Sequence, residues 1–151
     1  MNAVEKRDIK IRSMVQKDIF PTLTMLKKIP GGRGAITHRD LVSWSLGKQR
    51  DASFVAEIDG QIVGLLLGRF TFLGIPVAEV CSIQVIVVDP DSQRKRIAAD
   101  LVNALIARCQ EEGVGTIRAF LPEDNREIKL FLESQDFKPS GIIEYAKTIE
   151  V

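Results

Sequence analysis

The sequence predicts a mixed α/β fold, in which a largely antiparallel sheet contains a central β-α-β unit and carries helices on both faces. The central unit is indicated by an apolar, β-branched run at residues 83–88, followed by an amphipathic segment from residue 97 to 112 and a further strand at 116–121. An Asp59-Gly60 pair between two strand-like segments indicates an antiparallel hairpin. Antiparallel hairpins around one β-α-β unit predict a mixed sheet.

The chain before the hairpin predicts one strand and two helices. Residues 8–13 alternate between polar and apolar side chains, as a half-buried strand does. A first helix is expected over residues 17–28, with Pro21 in its first turns. The glycine-rich residues 30–34 form a connection. Thr37 and Asp40 have the spacing of a capping box, which predicts a second helix over residues 39–46.

The hairpin leads into the central strand. Strands are expected at residues 53–58 and 61–72, and a turn at residues 74–76 returns the chain. The run from Ile83 to Val88 is expected to be buried on both faces of the sheet, and Asp89-Pro90 ends it.

The second half begins with the amphipathic helix. Its apolar residues share one face, and Gly113 is a helix stop. After it, the pattern predicts a strand at residues 116–121, a helix opened by residues 122–125, a short strand at Phe137 and a last strand over residues 142–151.

Composition limits the class of protein. A length of 151 residues fits a single domain over residues 1–151, and a net charge of +1 gives no electrostatic reason to expect nucleic acid or a membrane as partner. Cys81 and Cys109 are expected to be buried free thiols rather than a disulfide or a metal pair. Because the sequence has neither a signal peptide nor a run of ~20 apolar residues, we expect a cytoplasmic protein. No metal is expected.

A strand, a short basic loop and a helix N-terminus follow one another at residues 88–98. The loop contains Gln93, Arg94, Lys95 and Arg96. The first N–H groups of a helix lack partners and the helix dipole is positive there, so the segment suits an anion. Basic residues before a helix are also often only solvated, and the residue types alone leave both interpretations open.

Three stretches, in order, resemble the GNAT (GCN5-related N-acetyltransferase) superfamily. Residues 88–98, VDPDSQRKRIA, resemble its acyl-CoA pyrophosphate loop, with Gln93 in the first and Ala98 in the last position of Gln/Arg-x-x-Gly-x-Gly/Ala. Residues 55–64, VAEIDGQIVG, are similar to its hairpin, and Asn125 to Phe137 are similar to its helix-strand segment. The predicted order of elements is also that of the GNAT fold.

The sequence departs from the family pattern at three positions. Arg96 stands where the family has its first glycine, and Leu132 stands where many members have a tyrosine acid. Asp136 replaces a glycine before Phe137, where a positive φ is common, and Asp tolerates such a φ better than most residues.

The resemblance implies an acetyl-CoA-dependent N-acetyltransferase that acts on a primary amine of a small molecule or peptide. It implies that the central strand separates from its parallel neighbour near Phe120, so that the pantetheine arm pairs with free backbone groups. A backbone N–H near Val87 would polarise the acetyl carbonyl. Asn125 would contact the arm, and a helix N-cap is an equally good role for it. The implied CoA-binding residues are Ile86, Val87, Val88, Gln93, Arg94, Lys95, Arg96, Ile97, Ala98 and Asn125.

The catalytic groups are less well indicated. Glu79 is the best carboxylate near the expected cleft and a candidate base, with a surface ion pair as the alternative. Gln84 could orient a water, and His38, the sole histidine, lies at a helix start. Leu132 cannot donate a proton, and Ser134 is a weaker candidate for the acid.

Two other classes of function stay open. The departures at Arg96 and Leu132 also fit a GNAT-fold CoA-binding or regulatory module with little turnover, and an apolar C-terminal strand would fit a structural dimerisation partner. A homodimer is possible in each case. In the family, residues matching Phe20 and Trp44 line the acceptor side, whereas on pattern alone they are core. Four arginines hint at an acidic acceptor, although scattered arginine is usually plain surface: Arg33, Arg39, Arg50 and Arg69.

Overall fold

In the part of the chain that the structure describes, five strands form one sheet in the order of the sequence. The structure is a computed structural model that describes residues 8–29, 36–74 and 77–151. The strands are β1 (Ile9–Ser13), β2 (Phe54–Ile58), β3 (Gln61–Gly74), β4 (Val77–Val88) and β5 (Ile117–Ala119). The helices are α1 (Ile19–Leu26), α2 (His38–Ser43), α3 (Ile97–Glu112) and α4 (Arg126–Ser134), and single 3₁₀ segments lie at Gln16–Asp18 and Pro90–Lys95.

The sheet is mixed and mainly antiparallel, as predicted. β1 to β4 pair in antiparallel fashion, and β5 pairs with β4 in parallel after the α3 crossover. Asp59 and Gly60 close the β2–β3 hairpin with φ angles of 51° and 77°. A two-residue turn with positive φ at both positions matches the twist of the strands, so the prediction from this pair is confirmed.

The two faces of the sheet are covered by different helices. On one face, α1 and α2 enclose an apolar cluster whose buried members include Met14, Met25, Leu41, Val55, Leu65 and Leu67. α3 covers the other face, where Gly64 lies so close that a Cβ atom would be 2.9 Å from a methyl group of Ile97. Cys81 and Cys109 are buried free thiols, as predicted.

An ion-pair network ties β1 to the turn before α1. The Arg12 guanidinium donates to both carboxylate oxygens of Asp18 at 2.7 Å and to Glu57 at 3.3 Å. Burial of Asp18 would raise the pKa of its carboxyl, but hydrogen bonds from Arg12 and from the Val15 N–H outweigh this and hold that pKa below its usual range. The hydrogen bonds to Asp18 and Glu57 raise the pKa of Arg12 despite its partial burial.

Several predicted boundaries differ by a few residues. α1 begins at Ile19 after the 3₁₀ turn, so Pro21 falls in its first turn, where a missing N–H costs nothing. α2 is shorter than predicted, although its Thr37–Asp40 capping box is present, with bonds of 2.9 and 3.1 Å. The connection at residues 30–34 and the turn at residues 75–76 lie outside the described residues.

Residues Leu121–Val151 form a second compact unit, separate from the unit of Met1–Phe120 in the division of the chain by internal packing. It contains α4, whose N-cap is Asn125: the side-chain oxygen accepts from the Ile128 N–H at 3.2 Å. Asp136 follows the helix with φ of 66°, the conformation expected at that position. The prediction of a single domain over residues 1–151 stays a prediction.

The two predicted C-terminal strands are wrong. Phe137 donates its N–H back to the Leu132 carbonyl at the end of α4, at 3.0 Å, and residues 138–151 are exposed and outside any helix or strand. The alternation over residues 142–151 satisfies the side-chain pattern of a strand, but a strand also needs a neighbour to bond its backbone. None of the described helices has the length and apolar character that a membrane span requires.

Candidate active site

The parallel pairing of β4 with β5 stops halfway along β4. Within the described residues, Cys81, Ser82 and Ile83 pair with Ile117, Arg118 and Ala119, and β4 then continues alone on this side to Val88. Gln84 is exposed and Val85, Ile86 and Val87 are half-buried. The prediction that this run is buried on both faces is therefore wrong for residues 84–87. The physical reason is the early end of β5.

A β-bulge lies at the same point. Leu67 of β3 faces Val85, whereas the next residue, Gly68, faces Ile83, so Gln84 is the extra residue of β4. A bulge changes the direction in which the following backbone groups point. The second half of β4 is therefore out of phase with the first.

The hydrogen bonds at the two ends of β4 show this change of phase. The Cys81 N–H donates to the Thr116 carbonyl beside β5, at 3.0 Å, whereas the Asp89 N–H donates to Val63 on β3, at 2.8 Å. Successive residues of a strand direct their backbone groups to opposite sides. Counting back from Asp89, the Val87 N–H faces β3, and the N–H groups of Ile86 and Val88 face the edge that β5 has left. Among the described strands, the N–H groups of Ile86 and Val88 therefore have no neighbouring strand to bond.

The loop after β4 is built around Asp89. Its side chain accepts from the Asp91 N–H at 3.0 Å and its carbonyl accepts from the Ser92 N–H at 2.8 Å, which fixes the first turn of Pro90–Lys95. Gln93 reaches back to the Val88 carbonyl at 3.5 Å. The backbones of Arg94 and Lys95 complete the turn, and the predictions for their side chains lie outside what the structure describes.

Arg96 joins this loop to α3 in the left-handed conformation, with φ of 59° and ψ of 25°. Only glycine adopts this region without strain, which explains why a glycine suits this position. The first helical bond of α3 runs from the Asp100 N–H to the Arg96 carbonyl at 3.1 Å, and no described side chain caps the helix. The N–H groups of Ile97 and Ala98 therefore have no partner within the helix and suit an anion.

The open edge of β4 and the uncapped start of α3 are separated only by residues 89–96. An extended ligand with amides at one end and a phosphate at the other matches this order of groups. Acyl-CoA has that chemistry, because its pantetheine arm carries amides and its diphosphate is anionic. The residues present thus fit the group.

The comparisons with known proteins agree with this geometry. A family model described as the acetyltransferase (GNAT) family matches residues 22–137, more than half of the chain. The chain belongs to the GNAT acetyltransferase family. No curated protein matches the sequence.

Several solved structures share the fold. The aminoglycoside N-acetyltransferase AAC(6')-Iy in complex with CoA superposes with a TM-score of 0.81 at 17% identity, covering 97% of this chain and 99% of that chain. The ribosomal-protein-alanine N-acetyltransferase from Brucella melitensis biovar Abortus 2308 has a TM-score of 0.74 at 15% identity, covering 94% of this chain and 100% of that chain. A transcriptional regulator from Bacillus halodurans C-125 has a TM-score of 0.78 at 21% identity, covering 95% of this chain and 100% of that chain. At these identities the likeness shows the fold.

The candidate base Glu79 lies far along β4 from Val87. It lies eight residues before Val87 on the same strand, which corresponds to about 26 Å at the usual rise of a strand. Its carboxylate lies 3.7 Å from the Arg50 guanidinium, which also stacks on Phe72 at 5.4 Å. The surface ion pair, the alternative role for Glu79, is present. Direct contact with a thioester near Ile86 would be out of its reach.

Other candidate groups also have local partners. Arg69 donates to the Trp44 carbonyl at 2.6 Å and covers the Trp44 ring at 4.8 Å, so it is engaged within the fold. His38 is exposed and lies 4.9 Å from the Phe20 ring. The Ser134 hydroxyl donates to the Phe131 carbonyl of its own helix. Leu132 is buried.

The sequence indicated the loop but not the ion pair that holds it. Asp89 before a proline favours a turn, yet nothing in the pattern linked Asp89 to Lys28, whose ammonium lies 3.2 Å from its carboxylate. Among the described residues, no cluster of three or more histidine, cysteine or acidic side chains is suited to a metal ion.

Proposed function

We propose that the protein is an acetyl-CoA-dependent N-acetyltransferase that transfers the acetyl group to a primary amine. The observation that carries this proposal is the open edge of β4 after Ile83, directly followed by a loop and an uncapped helix start. The N–H and carbonyl groups of Ile86 and Val88 would pair with the pantetheine arm. The amides of residues 94–98 would receive the diphosphate.

The chemistry requires few groups from the protein. The neutral amine attacks the thioester carbon and forms the C–N bond, the C–S bond breaks and CoA leaves as a thiolate, and the nitrogen loses its proton to water. A backbone N–H at the open edge, from Ile86 or Val88, would stabilise the negative charge on the carbonyl oxygen. Because Leu132 cannot protonate the leaving group, we propose that the CoA thiolate takes its proton from water.

Three residues have a less direct place in this proposal. Asn125 caps α4 through its oxygen, and contact with the CoA arm would use its amide nitrogen. Given the distance along β4, Glu79 would contact a part of the bound acceptor remote from the reacting amine, or reach that amine through a chain of several waters. Gln84, exposed at the bulge, is closer to the proposed acetyl position and would hold such a water.

Two classes of amine are candidates for the acceptor. One structure with this fold is the aminoglycoside acetyltransferase meta-AAC0020 in complex with sisomicin, and another is a ribosomal-protein-alanine N-acetyltransferase. We therefore propose a small-molecule or peptide amine as acceptor. Of the arginines considered for an acidic acceptor, Arg50 and Arg69 already have partners within the chain.

The proposal is tested in two steps. Calorimetric titration with acetyl-CoA and CoA should give saturable binding, and release of free thiol should then rise with one member of a panel of aminoglycosides and alanine-terminated peptides. A flat titration at millimolar ligand would refute the proposal. Binding without thiol release for any amine would support the other candidate, a CoA-binding module with little turnover, which Leu132 and Arg96 favour.

A further inference from the structure

An ion pair joins α1 to the loop that follows β4. Lys28 lies two residues beyond the end of α1, and its ammonium is 3.2 Å from an Asp89 carboxylate oxygen. The Asp89 side chain is only 6% exposed, whereas Lys28 is 55% exposed. The two residues are 61 positions apart in sequence, so the pair is a tertiary link.

Asp89 is also the point at which the loop is fixed to the sheet. Its N–H bonds Val63 of β3, its second carboxylate oxygen accepts from the Asp91 N–H, and its carbonyl accepts from the Ser92 N–H. Four groups of one residue are therefore engaged by β3, the loop and α1. A change at Asp89 or in its charge would be transmitted directly to the backbone of Pro90–Lys95.

The charge of Asp89 is unfavourable for the ligand that the loop is proposed to bind. A carboxylate at the base of a diphosphate site repels that diphosphate, and burial reduces the screening by water. Lys28 provides the opposite charge from outside the loop. Asp91 and Asp100 add negative charge nearby in sequence, and the basic residues 94–96 add positive charge. Lys28 differs from those basic residues because it is shown to pair with the buried Asp89 carboxylate itself.

We propose that Lys28 and Asp89 are positioning residues for donor binding: Asp89 fixes the loop backbone, and Lys28 neutralises the Asp89 carboxylate beneath the diphosphate. This inference rests on the proposed function. Neither side chain touches the reacting atoms. It extends the donor site to α1, a helix on the opposite side of the sheet from α3.

The test compares two ligands and four variants. CoA carries the diphosphate and S-acetylpantetheine does not. Lys28→Met should raise the Kd for CoA about tenfold and that for S-acetylpantetheine no more than about twofold. Lys28→Arg should restore CoA binding because it keeps the charge. Lys28→Met combined with Asp89→Asn should also restore it, because asparagine retains the capping oxygen and removes the unpaired charge. Lys27→Met, at the neighbouring exposed lysine, is the matched control.

A second readout does not depend on the ligand. In the free protein, the Asp91 and Ser92 amides should exchange hydrogen faster in Lys28→Met than in the wild type or Lys27→Met. An equal loss for both ligands, or no recovery in the double variant, would overturn the inference. If the wild type binds neither ligand, the proposed function fails, and the exchange of the two amides still decides whether Lys28 and Asp89 hold the loop.

Discussion

Arg96 occupies a backbone conformation that suits glycine, and this residue sets the geometry between the loop and α3. A side chain in the left-handed region costs roughly 1–2 kcal/mol, and glycine avoids this cost while it loses some entropy on folding. The guanidinium brings a positive charge to the start of α3, where a diphosphate is proposed to bind. The position therefore combines a cost in stability with a gain in charge.

Two substitutions separate these effects, because both remove the guanidinium. We expect Arg96→Gly to be more stable to urea than Arg96→Ala by about 1 kcal/mol, since only alanine keeps the strained Cβ. Arg96→Gly should also bind CoA more tightly than Arg96→Ala, because the backbone can approach the phosphates. Equal unfolding free energies for the two variants would show that the left-handed geometry is not retained in solution.

At the scale of the element, β4 has two halves with different tasks. Up to Ile83 it is an internal strand between β3 and β5; beyond the bulge at Gln84 one edge is open. The alternation of backbone groups assigns the open positions to Ile86 and Val88 and assigns Val87 to β3.

Proline substitution tests this assignment, because proline lacks the N–H. Ile86→Pro should weaken CoA binding with a small loss of stability, since the removed N–H faces the open edge. Val87→Pro should cost at least about 1 kcal/mol more in unfolding free energy, since it removes a bond to β3. The two measurements are calorimetry and urea denaturation. The opposite order of stabilities would place Val87 at the open edge.

The junction of β1 with the turn before α1 depends on a different interaction. Asp18 has a depressed pKa in the folded state because of Arg12 and the Val15 N–H, so its stabilising contribution is complete above its unfolded pKa, about 3.9, and is lost as pH falls through the lower folded value. We expect Asp18→Asn to cost about 1–3 kcal/mol at pH 7.

The difference between wild type and Asp18→Asn should shrink below about pH 4, as the wild-type carboxylate takes up its proton. Urea denaturation at a series of pH values measures it. A difference that stays constant down to pH 2 would show that the variant loses packing rather than the ion pair.

Local patterns predicted local structure. The Thr37–Asp40 capping box, the Asp59-Gly60 turn and the Gly113 stop of α3 each depend on a few neighbouring residues, and all three are present. The bulge at Gln84 and the early end of β5 depend on a neighbouring strand. The family resemblance predicted that the central strand separates from its parallel neighbour near Phe120. It did not predict that Gln84 is exposed.

The errors have a common cause in tertiary pairing. The alternation over residues 142–151 predicts a strand, but no backbone partner for it exists among the described residues. The link from Lys28 to Asp89 spans two elements and has no periodic signal. The role of Glu79 stays a prediction, since its place on β4 gives its distance from Val87 along the strand but not what a bound acceptor would contact.

For the whole molecule, ligand binding should raise the free energy of unfolding. At a CoA concentration of about 100 times Kd, the unfolding free energy of the unit that carries the loop should rise by about 2.7 kcal/mol. Trp44, the single tryptophan, reports unfolding of that unit by fluorescence. S-acetylpantetheine at the same concentration should give a smaller rise. A urea midpoint that millimolar CoA leaves unchanged would contradict the prediction.

The open edge of β4 has a further consequence for the free protein. Unpaired N–H and carbonyl groups within a sheet are a template for any extended segment from another chain, and natural proteins usually cover such edges. If acyl-CoA occupies the edge, it also protects the molecule against self-association and aggregation. Preparations kept with the cofactor should therefore remain monodisperse at concentrations at which the free protein begins to precipitate.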